Sequence, residues 1–295
     1  MQIDFEHLKA LAAILQTGSF ETAAGRLGVT PSAVSQRIKV LEERIGATLI
    51  ERGSPCIATP TGQRLAKYAE DIGLLEAQLT RDLALDGEGQ NPTRLRIAVN
   101  ADSLGTWFVS ALRNLPDFLF DLVVDDQDHS FDWLKRGEVS AAITSARQKV
   151  AGCEAYDLGA LRYLATASPE FAARWFPDGV TASALRLAPS LTFNAKDALQ
   201  RTWMRTHFGR DLAPPCHYLP STQAFVNAAC AGLGWGMNPE VLVRDAINEG
   251  RLVTLLPDAT LDTPLCWQVS RIIAPALIPI TRSIRAAARS QLRQV

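Results

Sequence analysis

The chain has 295 residues, 47% of them hydrophobic and 21% charged, and its formal net charge at pH 7 is −1. This composition is typical of a folded globular protein of two or three domains and excludes a disordered or fibrous chain. The apolar run IIAPALIPI is too short to span a bilayer, and charges interrupt the apolar pattern of the first residues, unlike in a signal peptide. We therefore expect a cytoplasmic protein with no membrane association.

The cysteines show no paired spacing, and their number is odd: Cys56, Cys153, Cys216, Cys230 and Cys266. This pattern favours reduced thiols and argues against a structural zinc site. Most of these cysteines are expected to be small buried hydrophobic residues, with a redox-sensing thiol as the alternative. We expect no metal and no cofactor.

Two short amphipathic helices open the chain. Residues 5–15 carry apolar side chains at helical spacing and are followed by Gly18. Ser19 is a typical N-cap residue, and apolar residues recur at helical spacing from Phe20 to Gly28, a residue that tolerates a turn. With a third helix, these two would form a three-helix core.

The third helix begins at Thr30 and Pro31, a capping hydroxyl followed by proline at the first helical position. An apolar stripe runs from there to Gly46, which ends the helix. Two helices joined by so short a turn are typical of a helix-turn-helix motif that binds double-stranded DNA. The alternative is an ordinary helix pair with a solvated polar face.

The face opposite the apolar stripe carries side chains that can contact base edges or phosphates. These side chains are Ser32, Ser35, Gln36, Arg37 and Lys39. We expect Ser35, Gln36 and Arg37 to read bases. Thr30, Lys39 and Arg52 would hold phosphates. Residues 1–64 contain seven basic and six acidic residues, so the argument from charge is local to this face.

Residues 47–62 predict a small hairpin, the wing of a winged helix, in which Leu49 and Ile50 pair with Ile57. A long helix is predicted over residues 61–85, roughly 37 Å in length. Its apolar residues repeat every three or four positions: Leu65, Tyr68, Ile72, Leu75, Leu79 and Leu83. Pairing with a second copy of the chain would bury this stripe. The alternative is that the helix lies on the last domain of its own chain.

From Arg94 onward, strands and helices alternate, which predicts an α/β fold with parallel strands. Two such units, joined by strands expected from Gly159 and from Leu265, would form two lobes with a cleft, as in periplasmic binding proteins. We expect a winged helix-turn-helix domain over 1–60, a dimerisation helix over 61–90 and an effector-binding domain over 91–295. We call residues 91–162 and 266–295 lobe I, and residues 163–265 lobe II.

Ligands of open α/β sheets bind beyond the carboxyl ends of the strands. The candidate ligand contacts at these positions are Ala101, Asp102, Ser103, Asp126, Asp128, Thr144, Phe193, Asn194, Ser221 and Trp235. Ser103 could cap a helix whose N–H groups hold a carboxylate, and the acids around Asp126 could hold a cation. The pattern fits lysine or arginine. For Ser103 and Ser221, helix capping alone is the alternative; for Asp128 it is capping the helix at Ser130.

The segment FETAAGRLGVTPSAVSQRIKVLEERIGATLIER resembles the DNA-binding domain of LysR-type transcriptional regulators. The stretches IAVNADSLGTWF, VVDDQDHS, ITSARQKVAGC and GLGWGMNPE are similar to the lysine- and arginine-responsive ArgP and LysG branch. The resemblance implies a homodimer or homotetramer, RNA polymerase as a partner, and activation of an amino-acid exporter, transport or biosynthesis gene. A regulator with another small effector is the alternative.

An enzyme fused to a DNA-binding head would need catalytic chemistry, and none of the four histidines stands in a recognisable nucleophile, phosphate-loop or metal-ligand motif. We therefore expect no catalytic residues. A solute-binding protein, the third class considered, does not fit a helix-turn-helix and a missing signal peptide.

Overall fold

The computed structural model describes residues 3–83, 92–125, 130–145 and 149–294. Its N-terminal domain contains the three predicted helices, α1 (Phe5–Thr17), α2 (Phe20–Leu27) and α3 (Pro31–Ile45). Each helix starts at a side chain that accepts a backbone hydrogen bond and ends at a glycine with positive φ. The caps are Asp4, Ser19 and Thr30, and the glycines are Gly18, Gly28 and Gly46.

The predicted wing is a two-stranded antiparallel hairpin, β1 (Ile50–Glu51) and β2 (Ile57–Ala58). Leu49 is fully buried just before β1, where its N–H donates to the carboxylate of Glu42 at 2.7 Å. A Cβ atom added to Gly62 would lie 1.9 Å from the carbonyl oxygen of Leu49. The helix after the wing therefore lies directly against the base of the hairpin.

That helix is α4 (Pro60–Asp82), which starts where Thr59 caps it. Its apolar stripe, which we expected a second copy of the chain to bury, is buried partly within its own chain. Leu65 and Ile72 pack against the core of the N-terminal domain, and Leu75 packs against the core of the C-terminal domain. The rest of the stripe, Tyr68, Leu79 and Leu83, is 56%, 58% and 57% exposed.

The C-terminal domain contains nine described strands. They are β3 (Thr93–Val99), β4 (Phe118–Val124), β5 (Ala141–Ser145), β6 (Cys153–Ala167), β7 (Ser190–Thr192), β8 (Cys216–Tyr218), β9 (Gly236–Pro239), β10 (Val253–Thr254) and β11 (Leu261–Ser270). The parallel order predicted for lobe I is confirmed, because β3 pairs in parallel with both β4 and β5. In lobe II, β7 and β8 pair in parallel, and Ser190 forms a parallel bridge with Trp235.

Two long antiparallel strands, β6 and β11, connect the lobes, as predicted. β6 pairs with β11 along its first part and with β9 and β10 along its last part. It begins at Cys153, six residues before the expected start at Gly159. The register between the two strands shifts at Leu265, opposite Gly159, whose φ is 102°. The glycine therefore marks a β-bulge inside the strand.

Helices pack around the strands of both lobes. They are α5 (Ala101–Ser103), a π-helical turn (Leu104–Phe108), α6 (Val109–Ala111), α7 (Ser130–Lys135), α8 (Pro169–Trp175), α9 (Ala182–Leu187), α10 (Leu199–Phe208), α11 (Thr222–Cys230), α12 (Glu240–Asn248), a 3-10 turn (Pro275–Leu277) and α13 (Ile278–Gln291). The first three pieces follow one another without a break. Among the described helices, none has the length and apolar character needed to cross a membrane.

Candidate DNA-binding surface and ligand cleft

The exposed face of α3 carries four polar residues in one stripe. Each residue turns an α-helix by roughly 100°, so Ser32, Ser35, Gln36 and Lys39 point in similar directions. Ser32, Gln36 and Lys39 are exposed and Ser35 is half-buried, whereas Val34 and the other apolar residues of α3 face the core. This stripe is the part of α3 that is open to a large partner.

Arg37 lies beside this stripe. Its Nη1 is 3.4 Å from Oε2 of Glu6 on α1, and its side chain is only 25% exposed. The ion pair directs the guanidinium toward the edge of the domain at the start of α1. This geometry suits a contact to the DNA backbone as well as a contact to a base.

The predicted phosphate-holding residues differ in how their side chains are engaged. The hydroxyl of Thr30 accepts the N–H of Ala33 at 3.2 Å, so it stabilises the start of α3. Lys39 is 67% exposed, and its Nζ is 3.9 Å from Glu43. The guanidinium of Arg52 lies 5.3 Å from the centre of the Phe20 ring, at the root of the wing. Pro31 is the first residue of α3.

Asp102 lies at the start of the helix after β3 and joins lobe I to lobe II. The hydroxyl of Tyr163, on β6, donates to Oδ2 of Asp102 at 2.7 Å. The hydroxyl of Thr222, the first residue of α11, donates to Oδ1 at 3.0 Å. Because α11 belongs to lobe II, the cleft is closed at this point in the structure.

The residues around Asp102 differ from the expectation in one respect. Asn100 occupies the N-cap position, next to Ala101, so Ser103 does not cap this helix as we expected. Ser103 is completely buried in the first turn, and its hydroxyl has no hydrogen-bond partner in the described part of the chain. The same holds for Oδ1 of Asn100. An unpaired buried polar group costs about 1–3 kcal/mol, so these two atoms would gain from a ligand or a water molecule.

A cavity of about 20 Å³ remains in the cleft beside Asp102. It is lined by Asp102, Phe193, Asp197, Leu199, Thr222, Phe225, Met237, Asn238 and Pro239. None of these residues is basic, and two are acids. The cavity has room for about one water molecule, so the lobes must separate before an amino acid can enter.

Three predicted contacts, two from lobe II and one from β5 of lobe I, are already engaged inside the protein. Oδ1 of Asn194 accepts the N–H groups of Lys196 and Asp197 and closes a turn. The side chain of Ser221 caps α11, which was its alternative role. Thr144 is fully buried, and its hydroxyl accepts a hydrogen bond from Gln268 at 2.6 Å.

The structure places Trp235 in the core, and not at the ligand cleft as we expected. Its side chain is fully buried, and its ring lies 5.4 Å from that of Trp203 in the core of the domain. The apolar ring is held there by packing, so it does not line the cleft cavity. Trp107 is likewise buried, in lobe I.

The acids after β4 are only partly described. Oδ1 of Asp125 lies 3.9 Å from Nζ of Lys196, which comes from lobe II, and Oδ2 accepts the indole N–H of Trp133 at 2.9 Å. Asp126 and Asp128, the two acids predicted to contact the ligand, lie outside the described residues. The alternative role of Asp128 as a helix cap therefore also lies outside them.

Sequence reasoning missed Tyr163 and Asp197, and it placed Thr222 at the cleft without its contact to Asp102. Tyr163 and Thr222 are 61 and 120 residues from Asp102 along the chain, so no local pattern connects them. Asp197 follows Asn194 closely and could have been noticed as an acid after a strand. The part of the chain that is described contains no group of three His, Cys, Asp or Glu side chains that could hold a metal ion.

The crossing strands carry one bidentate ion pair, at the point where they pass between the lobes. Nε of Arg162 lies 2.7 Å from Oδ1 of Asp262, and Nη2 lies 2.8 Å from Oδ2. These hydrogen bonds from the guanidinium lower the pKa of Asp262 below its ordinary value of 3.8. The pair therefore ties β6 to β11.

Comparison with known families gives two matches that together cover most of the chain. Residues 5–63 match the bacterial regulatory helix-turn-helix proteins of the lysR family. Residues 88–287 match the LysR substrate binding domain. The chain is 44% identical over 292 residues to the HTH-type transcriptional regulator LysG of Mycobacterium tuberculosis, covering 99% of this chain and 96% of that protein. It is 44% identical over 268 residues to ArgP of Pseudomonas fluorescens, covering 90% and 89%.

Solved structures agree with this similarity. The crystal structure of ArgP from Mycobacterium tuberculosis is 44% identical, covers 100% of both chains and has a TM-score of 0.82. Full-length LysG from Corynebacterium glutamicum, solved with bound effector Arg, is 33% identical, covers 98% of this chain and 99% of that one, and has a TM-score of 0.68.

Proposed function

The chain belongs to the LysR family of DNA-binding transcriptional regulators, in its LysG and ArgP branch, and on this basis we propose that it adjusts transcription in response to a basic amino acid. The observation that carries the proposal is the cleft cavity, whose lining includes Asp102 and Asp197 and no basic side chain. Such a cavity favours a ligand with a cationic group. The effector bound to the Corynebacterium glutamicum relative is arginine.

In this proposal, α3 enters the major groove of double-stranded operator DNA. The exposed stripe supports base contacts from Ser35 and Gln36. The half-buried Arg37 stands at the flank and contacts a base or the backbone beside it. Lys39 and Arg52, both exposed, hold phosphates. The wing and α3 would then contact the same stretch of duplex.

The effector, lysine or arginine, binds between lobe I and lobe II. Its side-chain cation meets the carboxylate of Asp102, which the hydroxyl of Tyr163 orients. Its α-carboxylate meets the hydroxyl of Ser103 and the free N–H groups of the helix after β3. The unpaired hydroxyl of Ser103 supports this orientation. Asp126 and Asp128 remain proposed contacts for the cation.

Effector binding must separate the lobes, because the closed cavity is far smaller than an amino acid. The effector can shift the DNA-bound states only by its different affinity for them, and a coupling of about 1–3 kcal/mol is the usual size. By linkage, operator DNA changes the effector affinity by the same factor.

The assembly in this proposal is a homodimer that pairs again into a homotetramer. The exposed Tyr68, Leu79 and Leu83 of α4 support its use as a dimer contact. The division into residues 1–60, 61–90 and 91–295 belongs to the same proposal. So do a cytoplasmic location, RNA polymerase as partner, and activation of an exporter, transport or biosynthesis gene for lysine or arginine.

Fluorescence anisotropy with labelled upstream DNA tests the proposal as a whole. Lysine or arginine should change the operator affinity or the footprint of the full chain, and leucine and glutamate should not. If none of the twenty amino acids changes either quantity while the chain still binds the operator, the effector class is wrong. If the chain shows no preference for the upstream DNA, the assignment of α3 is wrong.

A further inference from the structure

Lobe II contains a second cavity, of about 200 Å³, behind the wall of the cleft. It lies between β7, β8 and α10, with apolar side chains from Met204 and Leu212 in its lining. Gln200, Arg201 and Tyr218 supply polar groups. It is ten times larger than the cavity beside Asp102 and is lined by a different set of residues, with Asp197 in common.

Gln200 gives this cavity a buried hydrogen-bond acceptor. The side chain is 4% exposed, and its Nε2 donates to the carbonyl oxygen of Leu191 at 2.6 Å. Because Nε2 is the donor in this bond, Oε1 is the amide atom that remains to accept a hydrogen bond. Oε1 is buried and has no partner among the described residues. Since unpaired buried acceptors are costly, a donor belongs opposite this atom.

The next residue, Arg201, supplies a positive charge to the same cavity. Its side chain is exposed, and within the described ranges no carboxylate forms an ion pair with it. Tyr218, 60% exposed, adds a phenolic hydroxyl at the other side. The cavity therefore combines an acceptor at its buried side with a cationic donor at its open side.

We propose that this cavity is a second small-molecule site, which takes a zwitterion of amino-acid size. The ammonium or amide N–H of the ligand bonds Oε1 of Gln200, and its carboxylate pairs with Arg201. The volume is below the usual range for drug-sized ligands, about 300–1,000 Å³, and so fits a single small metabolite. A simple anion would leave Oε1 of Gln200 unpaired, and a simple cation would be repelled by the positive charge of Arg201.

The segment between the two cavities would transmit binding from one to the other. Asp197 lines both, and its carboxylate accepts the N–H groups of Phe193 at 3.0 Å and Leu199 at 2.9 Å. In the same segment, Lys196 reaches Asp125 of lobe I. A ligand that stiffens this segment changes the free energy of opening the cleft. The second site therefore changes the affinity of the cleft for its effector, and the reverse holds equally.

Cys216 offers a reporter inside the second cavity. It lines the cavity, it is exposed, and its thiol donates to the hydroxyl of Thr192 at 2.9 Å. The rate at which iodoacetamide labels Cys216 in the full chain is measured by peptide mass spectrometry, with each proteinogenic amino acid except cysteine, whose thiol consumes the reagent, at about 1 mM, a concentration that detects weak binding. At least one amino acid should slow the labelling several-fold.

Three variants identify the site that causes this protection. Arg201→Ala should raise the protecting concentration by about tenfold, the effect of losing one charge-assisted hydrogen bond. Arg205→Ala, which removes an exposed arginine from the same helix outside the cavity, should behave like the wild type. Asp102→Asn, which weakens the cleft, should preserve the protection and change the protecting concentration only through the coupling of the two sites.

The proposal is wrong if no amino acid protects Cys216, or if Arg201→Ala leaves the protecting concentration unchanged. It is also wrong if Asp102→Asn abolishes the protection, because the signal then comes from the cleft. These results leave the proposed cleft effector untouched, since calorimetry on Asp102→Asn measures that site separately.

Discussion

The hydroxyl of Thr222 in lobe II donates to the carboxylate of Asp102 in lobe I at 3.0 Å, and so holds the cleft closed. The two residues belong to the helix that follows β3 and to α11. In the proposed mechanism the same carboxylate receives the cation of the effector. The contact that closes the cleft therefore competes with effector binding.

Thr222→Val should weaken this closure while keeping the shape of the side chain. Loss of one hydrogen bond should favour the open form by about 1 kcal/mol and tighten effector binding roughly fivefold. Hydrogen exchange in residues 193–199 should become faster. The control is Thr206→Val, since the Thr206 hydroxyl bonds only the carbonyl of Thr202 in its own helix. Weaker effector binding in Thr222→Val would mean that Thr222 is a ligand contact rather than a closing contact.

Gln36→Ala should reduce discrimination at one operator base pair by about 1–3 kcal/mol, because an exposed amide on α3 reads a base edge. Lys39→Ala should weaken binding to all sequences and reduce the slope of log affinity against log salt by about one. Anisotropy titrations at several salt concentrations measure both. Arg186→Ala, which removes an exposed charge from lobe II, serves as the control. Unchanged affinity and selectivity in Gln36→Ala would remove this residue from the interface.

Leu79→Glu should separate the proposed α4 dimer, because it places a charge in an apolar contact. Leu79 is 58% exposed in the single chain, so the fold of the monomer should survive. Thr80→Glu adds the same charge roughly 100° away around the helix and should leave the dimer intact. Light scattering gives the masses. The parent mass for Leu79→Glu would show that α4 is not the contact.

The Arg162–Asp262 pair should make the free energy of unfolding depend on pH. The folded state holds the proton of Asp262 more weakly than the unfolded state does, so the pair stabilises the fold above pH 3.8 and this contribution is lost as the pH falls below that value. The pair is partly exposed, so Asp262→Asn should lower the free energy of unfolding by only about 1 kcal/mol at pH 7. Urea unfolding measures this difference.

The difference should shrink below pH 3.8. Asp258→Asn, at an exposed position near the start of β11, should show no such pH-dependent difference. A constant difference between Asp262→Asn and the wild type across this range would mean that the pair contributes through packing and not through charge.

Local signals predicted most of the fold. Ser19, Thr30 and Pro31 mark the helix starts because capping and a fixed proline φ act within a few residues. The alternation of strands and helices predicted parallel pairing, because a helix between two strands returns the chain to start the next strand in the same direction. Gly159 misled the prediction, because a glycine inside a strand can mark either its end or a bulge.

The ligand cleft could be predicted only in part. Ser103 was assigned to the right helix, but its burial depends on packing that the sequence pattern does not specify. Trp235 is a core residue because Trp203, from a different helix, lies against it. Ile72, in the stripe expected to pair with a second copy of the chain, packs against the core of the N-terminal domain. Contacts between distant segments decide these three cases.

Isothermal titration of the full chain with lysine, arginine, leucine and glutamate tests the central claim, that a carboxylate-lined cleft recognises a basic amino acid. We predict binding of lysine or arginine, no binding of leucine or glutamate, and a loss of affinity of about tenfold or more in Asp102→Asn, which removes the charge and keeps the shape. Tight binding of leucine or glutamate, or unchanged binding of the basic amino acids by Asp102→Asn, would contradict the account.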